Sequence, residues 1–265
     1  GMSVAGSAQD VAGNCSAASG DALIGNYSQT DQTFAIVYGV APSSAYPQLG
    51  AYIASQGMKQ GPMDFGQLEL ALVEAGQPAA LVKLLTSTAG DGPAKILAEG
   101  GTSMWEQWDP GCGAAGGQAG DNDTYNDTEC TGSAISQTSS DSFSHGWGSV
   151  GAYPVTRGLL GITVTGVGAA SAEVAPPASG LASASGAEFT ERGSLHVSWR
   201  RIPAAGGEVN LDVTVPDNMR VTVALPAGTR PYIASGAGAP RYEGTSGGRA
   251  LYSVGSGATS FRVAN

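Results

Sequence analysis

The spacing of apolar residues changes from helical to strand-like about two thirds of the way along the chain. In the first part, apolar side chains recur three or four positions apart, as in Phe65, Leu68 and Leu72. In the second part, apolar and polar residues alternate over residues 209–215 and again over 221–225. Because these two periods belong to different kinds of secondary structure, the sequence predicts a helical part followed by a β-sandwich-like part.

Four segments of the first part are predicted to be helical, and a fifth helix is predicted to begin at a proline. They are residues 33–38, 46–55, 63–75 and 143–160, and the segment that starts at Pro78. Gly76 follows the third segment, where glycine commonly ends a helix. Since most connecting loops are short, neighbouring helices are expected to pack antiparallel.

The second part is predicted to be an antiparallel sandwich of short strands. The turn at residues 216–218 joins the two alternating segments and predicts a hairpin. Further strands are expected at 195–199 and 250–254, and residues 261–263 are expected to close the sheet. The Pro- and Ala-rich residues 174–185 are expected to link the two parts.

Length, charge and residue counts limit the possible functions. The 265 residues are expected to divide into a helical domain, 1–168, and a sandwich domain, 169–265. The net charge is −10 and the cations are scattered, which disfavours nucleic acid and anionic membranes as partners. No run of 18 apolar residues is present, so no membrane span is expected. Three separated cysteines and two histidines argue against a zinc site, and no metal or cofactor is expected.

Cysteines and sequons favour an extracellular protein. Cys112 and Cys130 bracket a loop rich in Gly and Asp and are expected to form a disulfide, the alternative being two free thiols. Sequons for N-glycosylation begin at Asn14, Asn26, Asn122 and Asn126.

One carboxylate lies between two tryptophans in residues 101–109. Trp105, Glu106 and Trp108 combine indole faces, which stack on sugars, with a carboxylate that binds hydroxyls or activates water. Farther along, His145 stands beside Trp147. The combination predicts a carbohydrate site. The alternative is a buried helix end, with the tryptophans in the core and Glu106 as a cap.

Two segments also follow the motifs of one enzyme family. Residues 99–108 read Glu-Gly-Gly-Thr-Ser-Met-Trp-Glu-Gln-Trp, and residues 142–151 read Ser-Phe-Ser-His-Gly-Trp-Gly-Ser-Val-Gly. They resemble the Gly-Ala-Thr-Thr-hydrophobic-Trp-Glu-x-Trp and Ser-Phe-Asn-His-x-x-x-Gly-Ser-Val segments of glycoside hydrolase family 78, the α-L-rhamnosidases. The second match is one residue shorter around Trp147. Residues 31–35 and 198–200 occur in the expected order, so the resemblance covers nearly the whole chain with gaps, but only the C-terminal portion of the family's proteins.

The resemblance implies a fold, a reaction and roles for the site residues. The fold would be about half of an (α/α)6 catalytic barrel followed by a C-terminal antiparallel β-sandwich. Glu106 would be the general base in an inverting hydrolysis of terminal α-L-rhamnosides. His145 would bind sugar hydroxyls, while Trp105, Trp108 and Trp147 would line the substrate pocket.

The sequence departs from the family at the second carboxyl group. The family's general acid lies in an upstream Asp-x-x-x-Arg-x-Glu segment, whereas Arg157 is the first arginine here and follows Glu106. Glu69 and Glu74 lie on a helix whose counterparts are structural, so neither is assigned as the acid. The chain is therefore expected to be a fragment or inactive alone, and to form a homodimer or bind a missing N-terminal half through apolar helix faces. The alternatives are a non-catalytic carbohydrate-binding protein and another (α/α)6 glycosidase.

Overall fold

The main helices precede the two large sheets along the chain, as the change of period predicts, and a short strand pair formed by residues 7–9 and 15–17 comes before the helices. The computed structural model describes residues 7–9, 15–17, 24–25, 27–108, 142–202, 207–228 and 230–264. The chain divides into two units, Gly1–Pro154 and Val155–Asn265. This division precedes the boundary expected between residues 168 and 169, because Ile162–Val164 already forms a strand that pairs within a sheet of the second unit.

The first unit contains short helices and one small strand pair. The strands β1 (Ser7–Gln9) and β2 (Cys15–Ala17) pair antiparallel. The helices are α1 (Gln29–Val37), α2 (Tyr46–Gln56), α3 (Phe65–Glu74), α4 (Pro78–Thr86) and α5 (Pro93–Ala98), and α6 (Ala152–Val155) lies at the division. No helix in the described ranges is both long enough and apolar enough to cross a membrane.

Local sequence explains where these helices begin and end. Ser28 caps α1, since its hydroxyl accepts a hydrogen bond from the Asp31 N–H at 3.0 Å. Pro78 occupies the first turn of α4, where a missing N–H costs nothing. Gly76 follows α3 with a φ of 70°, a left-handed conformation that suits glycine. The fully buried aliphatic side chains of this unit are Ile36, Leu49, Ile53, Leu68, Leu72 and Leu81.

The helix expected over residues 143–160 is wrong as a continuous α-helix. The structure has a 3₁₀ turn over Gly146–Gly151, the single turn α6, and a π-helical turn over Thr156–Leu160. Glycines at 146, 148 and 151 make the first of these segments a poor α-helix former. Gly148 also lies so close to Met104 that a Cβ there would overlap its side chain.

The second unit contains two five-stranded sheets. The strands are β3 (Ile162–Val164), β4 (Ser171–Val174), β5 (Ser183–Thr190), β6 (Gly193–Arg201), β7 (Val209–Val215), β8 (Arg220–Pro226), β9 (Tyr232–Gly236), β10 (Arg241–Ser246), β11 (Arg249–Val254) and β12 (Gly257–Val263). One sheet has the order β10-β11-β8-β4-β3 and the other has the order β5-β6-β7-β12-β9. All pairs are antiparallel except β4 with β8, so the expected antiparallel sandwich is confirmed apart from this one parallel pair.

Three connections in this unit differ from the sequence prediction. The turn after β7 leads to a strand of the other sheet, so β7 and β8 are not a hairpin. Both strands bury one apolar face, and alternation does not say whether they pair edge to edge or face each other across a sandwich. Likewise β12 lies inside its sheet, between β7 and β9, and does not close it. Residues 174–185 link two strands of the sandwich, β4 and β5, rather than the two parts of the chain.

The sandwich core is built from the inward residues of both sheets. Trp199 is 1% exposed and donates its indole N–H to the Leu159 carbonyl at 3.1 Å. Phe261 is fully buried and contacts Tyr252 edge-on, with ring centroids 5.0 Å apart. These contacts lie wholly within the second unit.

Gly161, which follows the π-helical turn, is expected to tolerate no side chain. Its φ is +80°, and a Cβ there would overlap the Ala175 carbonyl oxygen, whereas Gly168 has a φ of +58° with open space around it. The left-handed conformation costs a non-glycine residue about 1 kcal/mol, and overpacking adds about 1–3 kcal/mol. Gly161→Ala should therefore lower the free energy of unfolding by about 2–4 kcal/mol and Gly168→Ala by about 1 kcal/mol, measured by urea denaturation. Equal losses would contradict the close approach at Gly161.

Candidate functional site

The two motif segments lie side by side within the first unit. The Glu106 N–H donates to the Ser142 carbonyl at 2.9 Å, and the His145 N–H donates to the Met104 carbonyl at 2.9 Å. The Ser103 hydroxyl adds a hydrogen bond of 2.5 Å to the Phe143 carbonyl. These bonds join segments that are about forty residues apart in sequence, and they bring Glu106 next to His145.

The Glu106 carboxylate is held from one side. Its Oε2 accepts a hydrogen bond from the Ser142 N–H at 2.8 Å and lies 3.5 Å from Nδ1 of His145. The two side chains are 32% and 30% exposed. Oε1 of Glu106 has no hydrogen bond to any described residue.

His145 and Trp147 form a stacked pair next to this carboxylate. Their ring centroids are 3.8 Å apart and the planes are tilted by 37°. Nδ1 of His145 and Nε1 of Trp147 are both buried and make no hydrogen bond within the described chain. Buried polar atoms usually have a partner. This pair therefore has unused hydrogen-bonding capacity beside a partly exposed carboxylate.

The other two predicted aromatic residues are in the core of the helical unit. Trp105 is 2% exposed and contacts Phe143 edge-on at 5.7 Å between ring centroids. Trp108 is 1% exposed, packs edge-on against Phe65 at 5.4 Å, and donates its indole N–H to the Gln60 carbonyl at 2.7 Å. Their buried faces fit the alternative interpretation of these tryptophans as core residues.

Within the described residues, the Glu106 carboxylate does not cap a helix. Helix α5 ends at Ala98, and residues 101–108 are not helical. The Glu106 carboxylate instead accepts a hydrogen bond from a neighbouring segment. The tryptophans anchor the segment, and the glutamate between them points out of the core.

Glu69 is a buried acid that sequence reasoning assigned only to structure. It is 1% exposed, and neither carboxyl oxygen has a hydrogen-bond partner in the described structure. Burial raises its pKa to about 8, so the side chain is neutral at pH 7. The signal in the sequence is its position, because Glu69 shares the buried face of α3 with Phe65, Leu68 and Leu72 at helical spacing.

Several predicted residues lie outside the described residues. They are Cys112 and Cys130 of the expected disulfide and the sequon residues Asn14, Asn26, Asn122 and Asn126. Among the residues that the structure does describe, no group of three or more His, Cys, Asp or Glu side chains could hold a metal ion.

Comparison with sequence families identifies part of the second unit. Residues 161–239 match the family model of the bacterial α-L-rhamnosidase C-terminal domain. These residues run from the start of β3 to the segment after β9. No curated protein matches the sequence.

Solved structures extend the similarity to most of the chain. The α-L-rhamnosidase of Streptomyces avermitilis, solved with L-rhamnose, has a TM-score of 0.67 at 20% identity, over 88% of this chain and 21% of its own. The α-L-rhamnosidase of Dictyoglumus thermophilum has a TM-score of 0.66 at 15% identity, over 90% of this chain and 25% of its own. That of Aspergillus terreus has a TM-score of 0.63 at 18% identity, over 88% of this chain and 23% of its own.

These similarities confirm the family resemblance, by sequence for residues 161–239 and by fold for most of the chain. This chain spans only about a fifth to a quarter of the length of the solved enzymes, and at these identities the likeness establishes the fold. A rhamnosidase of Bacillus sp. GL1, of family GH78, shares it with a TM-score of 0.55. Residues 161–239 therefore match the bacterial α-L-rhamnosidase C-terminal domain, in a chain whose fold resembles the C-terminal part of solved α-L-rhamnosidases.

Proposed function

We propose that this chain supplies the general base and part of the sugar site for inverting hydrolysis of terminal α-L-rhamnosides. The observation that carries the proposal is the pairing of Glu106 with His145, both partly exposed, on the two motif segments that hydrogen-bond to each other. A second support is that enzymes of similar fold are α-L-rhamnosidases, one of them solved with L-rhamnose.

In the proposed reaction, Glu106 removes a proton from a water molecule. The water oxygen attacks the anomeric carbon of the rhamnose unit from the face opposite the leaving group, and the proton passes to a carboxylate oxygen of Glu106. The bond between the anomeric carbon and the glycosidic oxygen breaks with its electron pair on that oxygen. A second carboxyl group must protonate the departing oxygen for the reaction to balance.

Within this site, each aromatic residue takes a role that its burial permits. Oε2 of Glu106 is fixed by the Ser142 N–H, which leaves Oε1 for the water. His145, whose side chain is 30% exposed, binds sugar hydroxyls through the exposed part of its ring while Nδ1 faces Glu106, and the half-buried Trp147 ring stacks against it. Trp105 and Trp108 act indirectly: both are buried, and they fix the position of Glu106 between them.

The second carboxyl group comes from a different segment in this proposal. The helices α1 to α5 are taken as part of an (α/α)6 barrel whose remaining hairpins carry the general acid. Exposed apolar side chains support such an association, among them Tyr38 at 65%, Val40 at 70% and Leu97 at 69% exposed. The predicted disulfide, glycosylation and extracellular location remain part of the proposal.

The test compares this chain with the product of the longest open reading frame that contains it. With 4-nitrophenyl α-L-rhamnoside, the longer protein should release nitrophenol, and NMR should detect β-L-rhamnose as the first product because the anomeric centre inverts. The 265-residue chain alone should bind L-rhamnose without turnover, because general acid–base assistance is worth about 10²–10⁴-fold.

Other results would redirect the assignment. Turnover of an aryl glucoside in preference to the rhamnoside would indicate a different glycosidase. Binding of L-rhamnose by the longest product without any turnover would indicate a non-catalytic carbohydrate-binding protein. Formation of α-L-rhamnose as the first product would contradict the role of Glu106 as a base acting on water.

A further inference from the structure

The buried polar atoms that lack partners are concentrated at one packing contact. Six such side-chain atoms occur in the described structure. Two belong to Glu69 and one to Gln67, both on α3, and two belong to His145 and Trp147. Helix α3 packs against the 3₁₀ turn Gly146–Gly151, which contains Trp147 and follows His145. Glu69, His145 and Trp147 together carry four of these six atoms, at or next to the contact between α3 and this turn.

Glu69 reaches this turn directly, whereas Gln67 does not. A Cβ built on Gly151 would lie 2.6 Å from Oε2 of Glu69, so the carboxyl group lies against the backbone of the turn where no side chain intervenes. Gln67 is two positions away on the helix, which places it on a different face from Glu69. Glu69 is thus the buried group that the 146–151 turn covers.

The turn is fixed mainly through its backbone. The His145 N–H bonds to the Met104 carbonyl at 2.9 Å, and the Gly148 N–H bonds to the His145 carbonyl at 3.2 Å. The Ser149 hydroxyl donates to the Gly146 carbonyl at 2.8 Å. The rings of His145 and Trp147 contact each other, and their Nδ1 and Nε1 atoms have no hydrogen bond within the described chain, so the placement of the two rings depends on the position of the turn.

The charged groups around Glu69 are few. Among the described elements that pack on α3, α1 carries Asp31, the turn Pro62–Asp64 carries Asp64, and α4 carries Lys83. Helix α2 and the turn Gly146–Gly151 carry no charged residue, and α3 itself carries Glu74 at its exposed end. Burial is the cause that raises the pKa of Glu69 to about 8. Lys83 is the only cation that these described elements carry.

We propose that Glu69 is a positioning residue for the proposed sugar site. As a neutral acid it packs against Gly151 and holds the turn so that His145 and Trp147 stand next to Glu106. As a carboxylate it draws in water and displaces the turn, because a buried charge without a partner is costly. The consequence for sugar binding rests on the proposed function, whereas the displacement of the turn does not.

The direction of the pH effect follows from the two forms. The neutral form of Glu69 predominates below pH 8, so the turn keeps its position there. That position is lost as the pH rises through about 8. If the neutral form alone binds the sugar, affinity at pH 9 should fall about tenfold relative to pH 6, since about a tenth of the protein remains competent.

The experiment follows the Trp147 indole N–H resonance of the full chain by NMR from pH 6 to pH 9.5. In the unmodified protein this resonance should move with a midpoint near 8, and in Glu69→Gln it should not. Residue 69 is the only difference between the two proteins, so a difference between their two curves is due to Glu69. Trp199, in the second unit, provides a resonance that should not follow the transition. Glu74→Gln, on the exposed part of the same helix, should keep the midpoint.

Each outcome decides the inference. A transition that persists in Glu69→Gln, or that is missing from the unmodified protein, would overturn it. Should Glu69→Gln not fold, Glu69→Met serves as the non-titrating variant. Gly151→Ala, whose Cβ meets the carboxyl group, should shift the Trp147 resonance at pH 6 in the direction that high pH does, and an unchanged resonance would also overturn the inference.

Binding of L-rhamnose separates this inference from the proposed function. We expect about tenfold weaker binding at pH 9 than at pH 6 in the unmodified chain, and less than a twofold change in Glu69→Gln. If the Trp147 transition occurs but L-rhamnose binds at neither pH, the proposed function fails and the positioning role stands. If L-rhamnose binds equally at both pH values and the Trp147 resonance shows no pH transition, the positioning role fails and the proposed function stands.

Discussion

Replacing Glu106 by Gln is expected to lower kcat for an aryl α-L-rhamnoside by about 10²–10⁴-fold, the usual value of general acid–base assistance. The amide retains an oxygen that can accept the Ser142 N–H, which bonds to Oε2 at 2.8 Å in the structure. The variant should therefore keep the geometry of the segment but be unable to take the proton from water. KM should change little, because the sugar contacts assigned to His145 and Trp147 are retained.

The control for this variant is Glu99→Gln. Both variants are made and assayed in the product of the longest open reading frame that contains this chain. Glu99 follows helix α5 and is exposed, so its substitution should leave kcat within about twofold. Equal losses in the two variants, or an unchanged kcat in Glu106→Gln, would remove Glu106 from the reaction. A large rise in KM with an unchanged kcat would assign it to binding only.

The order of helices and strands could be predicted from sequence because it depends on local patterns. Alternation over 209–215 and 221–225 gave both strands, and Gly76 marked the end of α3. The pairing of β7 with β12 could not be predicted, since an alternating strand buries one face whichever neighbour it takes. The segment 143–160 was mistaken for one helix because the effect of its glycines depends on close tertiary contacts, such as the contact of Gly148 with Met104.

The candidate site shows the same limit. Sequence motifs were sufficient to select Glu106 and His145, and the structure brings them within 3.5 Å of each other. The motifs could not distinguish a tryptophan that lines a pocket from one that anchors a segment, because both kinds of residue satisfy the same motif. Trp108, at 1% exposed, is of the second kind. Glu69 was assigned only to structure because its position on the apolar face of α3 indicates burial but does not show what the buried carboxyl group contacts.

The burial of Trp108 leads to the largest expected change in stability. Trp108→Ala should lower the free energy of unfolding by about 3–5 kcal/mol, the usual cost of removing a buried tryptophan side chain. The substitution removes the edge-on contact with Phe65 and leaves the Gln60 carbonyl without the indole N–H. Urea denaturation followed by circular dichroism at 222 nm, where helices dominate the signal, measures this loss.

Two further variants separate the sources of the Trp108 effect. Trp108→Phe keeps an aromatic ring but removes the hydrogen bond to Gln60, so it should cost less than Trp108→Ala by at least about 1 kcal/mol. Trp147→Ala removes a half-buried indole whose N–H makes no hydrogen bond in the described structure, and should cost less than about 2 kcal/mol. If Trp108→Ala and Trp147→Ala destabilise the chain equally, Trp108 does not have the anchoring role that its burial indicates. If Trp108→Ala is as stable as the unmodified chain but loses sugar binding, the indole contacts the ligand directly, as the sequence alone predicts.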